Sequence, residues 1–443
     1  MTNKPLMRNV LPDRAGFASA LFSTASSRQL RLLAPTLMLV VWLPAGCPPE
    51  SGPPIFNNQD DKTNAGATYV GSAACSACHP GIADEARLHA HAHALKRPDG
   101  VAPGFPSENA RAGVPNPPAG SAWTDIAYVI GGYVKAALFV DQAGFLRNDG
   151  VTPVQTQWNL GLPAAGIARG FAAYDAERTD QQPFDYDCFR CHATGAHDST
   201  ADRPVFQDGR PGMRGTFQQP GVQCEACHGP GSNHVPNPTA RALFVPATAE
   251  DCGQCHARDA AGQDILTTAD GFIACGQQSS ELRASGGHSE FSCLFCHEPH
   301  RSLSVDRDAA IRNQCRVCHA DQTMAGHRGK LLRRPGHAET LTCESCHMPF
   351  AVKAVAQGDP AVIGEARVGD TRSHIFRITT DDIDFRAALT PDGTRYKLDD
   401  SDRAVLTVDY VCLRCHNGNG LFELSVSRAS EIALRVHDLP ESD

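Results

Sequence analysis

Three copies of one short motif lie close together in the stretch that decides this fold: CLFCH at 293–297, CRVCH at 315–319 and CESCH at 343–347. So little chain separates them that each cannot belong to a domain of its own. The same Cys-x-x-Cys-His pattern occurs five more times along the chain. Numbered in chain order, motifs 1 to 8 occupy residues 75–79, 188–192, 224–228, 252–256, 293–297, 315–319, 343–347 and 412–416.

The spacing within each motif has a chemical explanation. Two thiols three positions apart can bond to the two vinyl groups of one haem, and the histidine that follows then binds its iron. Pairs of Cys-x-x-Cys also form zinc ribbons, but a zinc site does not need a histidine after every second cysteine. Because all eight motifs have this histidine, the sequence predicts eight covalently bound haem c groups. The predicted attachment residues are Cys75, Cys78, Cys188, Cys191, Cys224, Cys227, Cys252, Cys255, Cys293, Cys296, Cys315, Cys318, Cys343, Cys346, Cys412 and Cys415. The predicted iron ligands within the motifs are His79, His192, His228, His256, His297, His319, His347 and His416.

The composition agrees with a chain built around cofactors. Of the 18 cysteines in 443 residues, only Cys47 and Cys275 lie outside the motifs, which excludes a disulfide framework. Cys275 is predicted to be a buried free thiol. The 39 glycines, 31 prolines and 7% aromatic residues indicate many loops and a small conventional core, which the haems would complete. The formal net charge of −9 argues against nucleic acid as a partner.

The N-terminal part of the chain has the pattern of an export signal. A basic flank that ends at Arg31 precedes an apolar run at 32–43. LPAGC at 43–47 resembles the bacterial lipoprotein box, in which Cys47 would become the acylated N-terminus; the alternative is cleavage nearby without acylation. We expect a signal peptide and lipobox at 1–47, a flexible tether at 48–68 and the haem-binding domain at 69–443.

Local patterns predict few regular elements outside the motifs. Short helices and turns are expected around each motif. Alternating apolar residues near 126–160 predict a small β-hairpin element. A second hairpin is expected within 348–411, ending at 405–410, and apolar spacing predicts a closing helix at 421–437. The predicted fold is therefore mainly α with much irregular loop, wrapped round a chain of eight haems.

Several segments go beyond the bare motif: YVGSAACSACH, IGGYVKAALFVDQAGF, TQWNL, GVQCEACHGPGSNHV, CHEPH, CESCHMP and SHIFRI. Together, from residue 69 to the C-terminus, they resemble the exported multihaem c-type cytochromes. That family includes the tetrahaem electron acceptor of hydroxylamine oxidoreductase and related octahaem proteins. The resemblance implies a mainly helical chain around closely packed haems, in stacked and perpendicular pairs, that carries electrons. Some relatives are reductases or oxidases, and some polymerise into filaments.

The sixth ligand of each iron decides whether it only carries electrons or also binds a substrate. Eight of the 19 histidines lie in the motifs, which leaves eleven for eight sites. Few methionines follow the leader, so a second histidine is the expected ligand. Mostly from the resemblance, His89 and His93 are expected to be solvated neighbours of a ligand, and His197 is the reserve. The predicted distal ligands are His91, His234, His288, His300, His327, His337, His374 and His437.

With two protein ligands on each iron, the chain is expected to relay electrons in the cell envelope without a catalytic residue. The expected partners are redox proteins, either other cytochromes or a quinol-side donor, and the membrane through the anchor at Cys47. The expected location is the periplasm, the outer membrane or the cell surface, and a homo-oligomer or filament is a further alternative. The alternative function is a multihaem reductase or oxidase of small nitrogen or sulfur compounds with one open haem.

Overall fold

A computed structural model describes residues 58–258, 264–324, 326–327, 329–334, 337–354, 367–417 and 423–438. The predicted signal peptide, Cys47 and the first part of the predicted tether lie outside these residues. The helices are short, and most of them contain or adjoin a motif. They are α1 (Ser72–Ser76), α2 (Pro80–Ala86), α3 (Tyr186–His192), α4 (Cys224–His228), α5 (Ala249–His256), α6 (Gln278–Arg283), α7 (Cys293–Cys296), α8 (Arg307–Ala310), α9 (Cys343–His347), α10 (Val408–Val411) and α11 (Val426–Ala433).

A helical turn brings the two cysteines of a motif to one side of the backbone, because residues three apart are neighbours on a helix. Helices α4 and α9 coincide with motifs 3 and 7, and α3 and α5 end on the histidines of motifs 2 and 4. Thr248 caps α5 by accepting a hydrogen bond from the Asp251 amide. Motif 6 uses a 3-10 turn at Cys315–Val317. The short helices and turns expected around the motifs are therefore present.

The chain between motifs 1 and 2 forms a seven-stranded antiparallel sheet. Alternate residues of two central strands face opposite apolar clusters: Tyr128 and Val140 lie in one, and Val129 and Phe139 lie in the other. All four are buried, so both faces of the sheet are covered. The strands are β1 (Leu95–Lys96), β2 (Ile126–Gly131), β3 (Ala136–Asp141), β4 (Phe145–Leu146), β5 (Gln157–Leu162), β6 (Ile167–Ala172) and β7 (Gln182–Pro183), in the order β1-β2-β3-β4-β7, with β5 between β3 and β6.

The structure is mixed rather than mainly α, with 24% of the described residues helical and 17% in strands. The predicted hairpin is present as β2 and β3, but it belongs to a larger sheet. Strands β1, β4 and β7 have only two residues each and pair across long loops, as Leu146 does with Gln182. Such short strands show no alternation in the sequence, which explains why only the hairpin was predicted.

The C-terminal half has an apolar core of its own, built around Phe272, Ile273 and Tyr410. Cys275 is half-buried against this cluster. The hairpin predicted to end at 405–410 is wrong, because that region runs into helix α10. The closing helix is present in the described residues as α11. The remaining strands are β8 (Ala193–Thr194), β9 (Gln219–Pro220), β10 (Ile273–Ala274), β11 (Leu331–Arg334), β12 (His337–Thr340) and β13 (Val352–Lys353). In the part of the chain described, no helix has the length and apolar character needed to cross a membrane.

Candidate haem-binding site

Six motif histidines each face a second histidine across a gap of nearly constant width. Every pair joins one motif histidine to one of the predicted distal ligands. The distances between ring centres are 6.0 Å for His256 and His91, 6.1 Å for His228 and His300, 6.3 Å for His297 and His374, 6.0 Å for His319 and His288, 5.9 Å for His347 and His437, and 6.2 Å for His416 and His327.

This gap fits one metal ion between the two rings. Imidazole nitrogens bind a first-row metal at about 2.0–2.1 Å and lie roughly 1.1 Å from their ring centre, so two rings on opposite sides of it have centres roughly 6.2–6.4 Å apart. Among the described residues, no group of three or more His, Cys, Asp or Glu side chains could hold a metal ion. Each pair supplies two donors, which suits an iron whose other four ligands come from a porphyrin.

Two half-buried distal histidines, His91 and His374, are in the protonation state that a metal requires. Burial, and after it the neighbouring histidines, lower the pKa of His91 and of His374 to about 3. A neutral imidazole has a free lone pair on one nitrogen, and this form binds metals. Both side chains are therefore ready to act as ligands at neutral pH.

The other ring nitrogen of several histidines is turned toward the protein, which leaves Nε2 for the iron. In most cases the partner is a backbone carbonyl. The Nδ1 atoms lie 3.3 Å from the Ala94 oxygen in His192, 2.8 Å from the Phe244 oxygen in His228, 3.0 Å from the Phe376 oxygen in His347 and 2.7 Å from the Thr323 oxygen in His437. His256 differs, because its Nδ1 lies 3.0 Å from the side-chain oxygen of Gln278.

The three histidines of the HAHAHA run have three different surroundings. His91 faces the motif 4 histidine. His93 is only 6% exposed and packs against the rings of Phe105 and Tyr133. The Nδ1 atom of His89 accepts a hydrogen bond from the His91 amide, and burial is the main cause that lowers the pKa of His89 to about 4. The expectation that His89 and His93 are solvated is therefore wrong.

Two motif histidines, His79 and His192, have no histidine ring opposite them among the described side chains. The predicted ligand His234 is half-buried, with its Nδ1 atom 2.7 Å from the oxygen of Arg241, and pairs with no described histidine ring. The side chain of His337 lies outside the described part of the chain. His197 is exposed, so the structure does not place the reserve ligand opposite a motif. The predictions for His234 and His337 stay predictions.

Motif 4 touches three other motifs through its cysteines. Cys252 lies beside Cys293 of motif 5, and Cys255 lies beside Cys191 of motif 2. Cys227 of motif 3 is close enough to act electrostatically on both. Motif 4 is therefore a junction between motifs 2, 3 and 5.

The remaining motifs extend from this junction in two directions. Their order in space is 1–3–4–5–6–7–8, and motif 2 branches from motif 4. The cysteines of neighbouring motifs that are close enough to act on each other electrostatically are Cys75 and Cys224, Cys296 and Cys318, Cys315 and Cys343, and Cys346 and Cys415. The eight motifs therefore form one continuous set, although their order in space differs from their order in the chain.

A buried carboxylate inside motif 3 fixes the approach to motif 1. Glu225 is 3% exposed. Its oxygens accept hydrogen bonds from the backbone amides of Val70 at 2.9 Å, Gly71 at 2.8 Å and Gly231 at 2.8 Å. Two separate segments, at residues 70–71 and at 231, are thus held by one side chain next to Cys224.

Residues 58–68, the second part of the predicted tether, lie against motif 3. The Asn64 side chain donates hydrogen bonds to the carbonyl oxygens of His228 at 2.8 Å and Pro230 at 2.9 Å. Gly229 has φ +68°, and a Cβ atom there would collide with the Lys62 carbonyl. Only glycine fits this approach. The segment before residue 69 is therefore joined to the domain by specific hydrogen bonds.

A buried arginine holds motif 8. Arg414 is 1% exposed and forms an ion pair with Glu339, which also binds Arg372 at 3.0 Å. The Arg414 guanidinium lies 4.6 Å from the ring centre of Phe350. Neither this arginine nor Glu225 was predicted, because a charged residue between the cysteines of a motif looks like an exposed one. The partners of both lie far away in sequence.

Residues 169–229, which contain motifs 2 and 3, match the family described as cytochrome c554 and c-prime. A search of the curated proteins found no match. Among solved structures, the octaheme sulfite reductase MccA of Wolinella succinogenes, form II, is similar over 87% of this chain and 72% of its own, with 15% identity and a TM-score of 0.50. This chain is a multihaem c-type cytochrome. At that identity, the likeness to the solved structure concerns the fold.

Two further multihaem structures are similar at lower scores. The outer cell wall cytochrome OcwA is similar over 82% of this cytochrome and 86% of its own chain, with 18% identity and a TM-score of 0.47. The undecaheme cytochrome from the S-layer of Carboxydothermus ferrireducens is similar over 85% of this chain and 60% of its own, with 16% identity and a TM-score of 0.43. The predicted covalent haem c and the multihaem class are confirmed by the family match at residues 169–229.

Proposed function

We propose that this cytochrome binds eight haems and relays electrons along them. The observation that carries the proposal is the set of six histidine pairs, each with ring centres 5.9–6.3 Å apart. An iron held by two imidazoles exchanges single electrons with a neighbouring haem and needs no change of ligands. The protein's part is to fix both rings of each pair and to keep water away from the buried ones.

The order of the motifs in space supports a path from motif 1 to motif 8. The cysteines of each motif on this path lie close enough to those of the next to act on them electrostatically, so the haems that they would attach would be neighbours. Motif 2 lies beside the path, at motif 4. A continuous row of contacting sites is what outer-sphere transfer over the length of a protein requires. No acid, base or nucleophile of the chain is needed.

A second candidate function is the reduction or oxidation of a small nitrogen or sulfur compound at one open haem. The specific observation that favours it is His192, which has no histidine ring opposite it among the described side chains. Its Nδ1 faces the Ala94 carbonyl, so its Nε2 is directed away from the backbone, as in the paired motif histidines. A haem on motif 2 would then have one position for an external ligand, and motif 4 would exchange electrons with it.

One experiment tests both candidates: low-temperature electron paramagnetic resonance of the oxidised holo-protein, with the haem count taken from the pyridine haemochrome spectrum. We expect eight haems and at least six low-spin irons. The second candidate adds a high-spin fraction that becomes low-spin when cyanide is added. Fewer than six low-spin irons would contradict the proposed pairs. Eight low-spin irons with no response to cyanide would remove the second candidate and leave electron transfer.

We also propose that the cytochrome is exported, that Cys47 is acylated and that its partners are redox proteins, either other cytochromes or a quinol-side donor. The support is the basic flank, apolar run and LPAGC sequence at the N-terminus. Mass spectrometry of the mature N-terminus is expected to show a lipid-modified Cys47. An unmodified N-terminus beyond this residue would contradict the anchor without affecting the haem assignments.

A further inference from the structure

The histidine of motif 4 is held by a side chain, whereas the histidines of motifs 2, 3 and 7 face backbone carbonyls. His256 Nδ1 lies 3.0 Å from Gln278 Oε1. In motifs 2, 3 and 7 the same atom faces the carbonyl oxygens of Ala94, Phe244 and Phe376, respectively. A backbone carbonyl is the same whatever the sequence. The acceptor at position 278 is a side-chain amide oxygen, so a substitution there can change how strongly it accepts the hydrogen bond.

Gln278 is the first residue of helix α6, and this helix is held firmly against motif 4. Gln277, just before it, is fully buried and hydrogen-bonds to both the amide and the carbonyl of Leu266. A Cβ atom on Gly253, inside motif 4, would lie 3.0 Å from the Ser279 hydroxyl. The helix and the motif are so close that a larger residue at Gly253 would displace Ser279. The position of the Gln278 amide is therefore determined by packing.

The neighbouring site shows that the chain uses more than one kind of acceptor. His300, which faces motif 3, has its Nδ1 3.2 Å from a carboxylate oxygen of Glu298. This carboxylate is held by Arg312, whose Nε lies 3.0 Å from it. A charged acceptor draws the Nδ1 proton more strongly than a neutral amide does, and this makes Nε2 a stronger donor to the metal. Motifs 3 and 4 are adjacent, so the difference falls on one step of the electron path.

We propose that Gln278 is a positioning residue that sets the donor strength of His256 and with it the reduction potential of the haem on motif 4. The inference rests on the proposed function, because it assumes an iron between His256 and His91. Stronger donation from a ligand stabilises the oxidised iron and lowers its potential. Motif 4 contacts motifs 2, 3 and 5, so its potential governs how electrons divide between the main path and the branch.

The test compares two substitutions that add the same charge to motif 4 or its immediate neighbourhood. Gln278→Glu places a carboxylate at His256 Nδ1, whereas Gln254→Glu places one at an exposed position within the motif. The measurement is a redox titration followed by electron paramagnetic resonance. At the same solution potential, we expect Gln278→Glu to lower the reduced-to-oxidised ratio of one haem at least tenfold, which equals a decrease of about 59 mV in its one-electron reduction potential. Gln254→Glu is expected to change it less than twofold.

A third variant separates the hydrogen bond from the charge. Gln278→Leu removes the acceptor, so the potential of the same haem should move in the opposite direction and its low-spin signal should change shape. That signal is identified with His91→Ala, which should make the motif 4 iron high-spin. Equal shifts for the two glutamate variants, or no shift for Gln278→Glu, would overturn the inference. If the spectrum of His91→Ala were the same as that of the wild-type protein, the proposed ligand pair would be contradicted instead.

Discussion

Replacing His374 by alanine is expected to convert one iron in eight from low-spin to high-spin. The His374 ring centre lies 6.3 Å from that of His297, and its half-buried imidazole is neutral at physiological pH. Its backbone amide donates a hydrogen bond of 2.7 Å to buried Glu281, which fixes the segment even when the side chain is removed. Alanine offers no donor, so the motif 5 iron would lose its sixth ligand. Electron paramagnetic resonance of the oxidised protein measures this change.

The matched control for this experiment is His197→Ala. His197 is exposed and stands opposite no described motif histidine, so its loss should leave the spin state of every iron unchanged. Free imidazole added to His374→Ala should restore the low-spin signal, because it can occupy the space that the side chain leaves. If His374→Ala kept all its low-spin irons, the pairing with His297 would be wrong. If His197→Ala lost a low-spin iron, His197 would itself have to be an iron ligand.

Replacing Glu225 by alanine is expected to destabilise the folded cytochrome more than any surface substitution. Its carboxylate accepts hydrogen bonds from the amides of Val70, Gly71 and Gly231, and it is 3% exposed. Gly231 is buried and Gly71 is half-buried, whereas Val70 is exposed and can donate to water instead. A buried donor without a partner costs about 1–3 kcal/mol, so the expected loss in the free energy of unfolding is roughly 2–4 kcal/mol. Denaturant unfolding of the holo-protein, followed by circular dichroism, measures it.

The control is Glu250→Ala, which removes an exposed carboxylate near the start of helix α5 and should change stability by less than about 0.5 kcal/mol. Glu225→Gln keeps one acceptor oxygen, so its effect should lie between the two. Haem content is measured for all three variants, because a lost haem would lower stability for another reason. A fully loaded Glu225→Ala protein as stable as the control would show that the three amides find other partners.

The attachment residues could be predicted from the sequence because they depend on a local rule. Two cysteines three apart and the next histidine lie within one helical turn, whatever the rest of the chain does. The distal ligands depend on distant segments, and there the prediction relied on resemblance. The structure places six of the predicted distal ligands opposite a motif histidine, including His288 and His300.

The HAHAHA run shows where local information ends. His89, His91 and His93 alternate with alanine and are indistinguishable by composition. Their roles are decided by what each one meets after the chain has folded: motif 4 for His91, the rings of Phe105 and Tyr133 for His93. The two-residue strands of the sheet were missed for the same reason, since their partners lie across long loops.

The histidine pairs also determine what a break in the backbone would do. With iron in place, each pair closes a loop of chain between a motif and its distal ligand. These loops are 91–256, 228–300, 288–319, 297–374, 327–416 and 347–437. Each overlaps at least one other, so every peptide bond between residues 91 and 437 lies inside a closed loop. A protease that nicks the loaded protein in this range would leave two pieces still linked through iron, and they would separate only when an axial bond is broken.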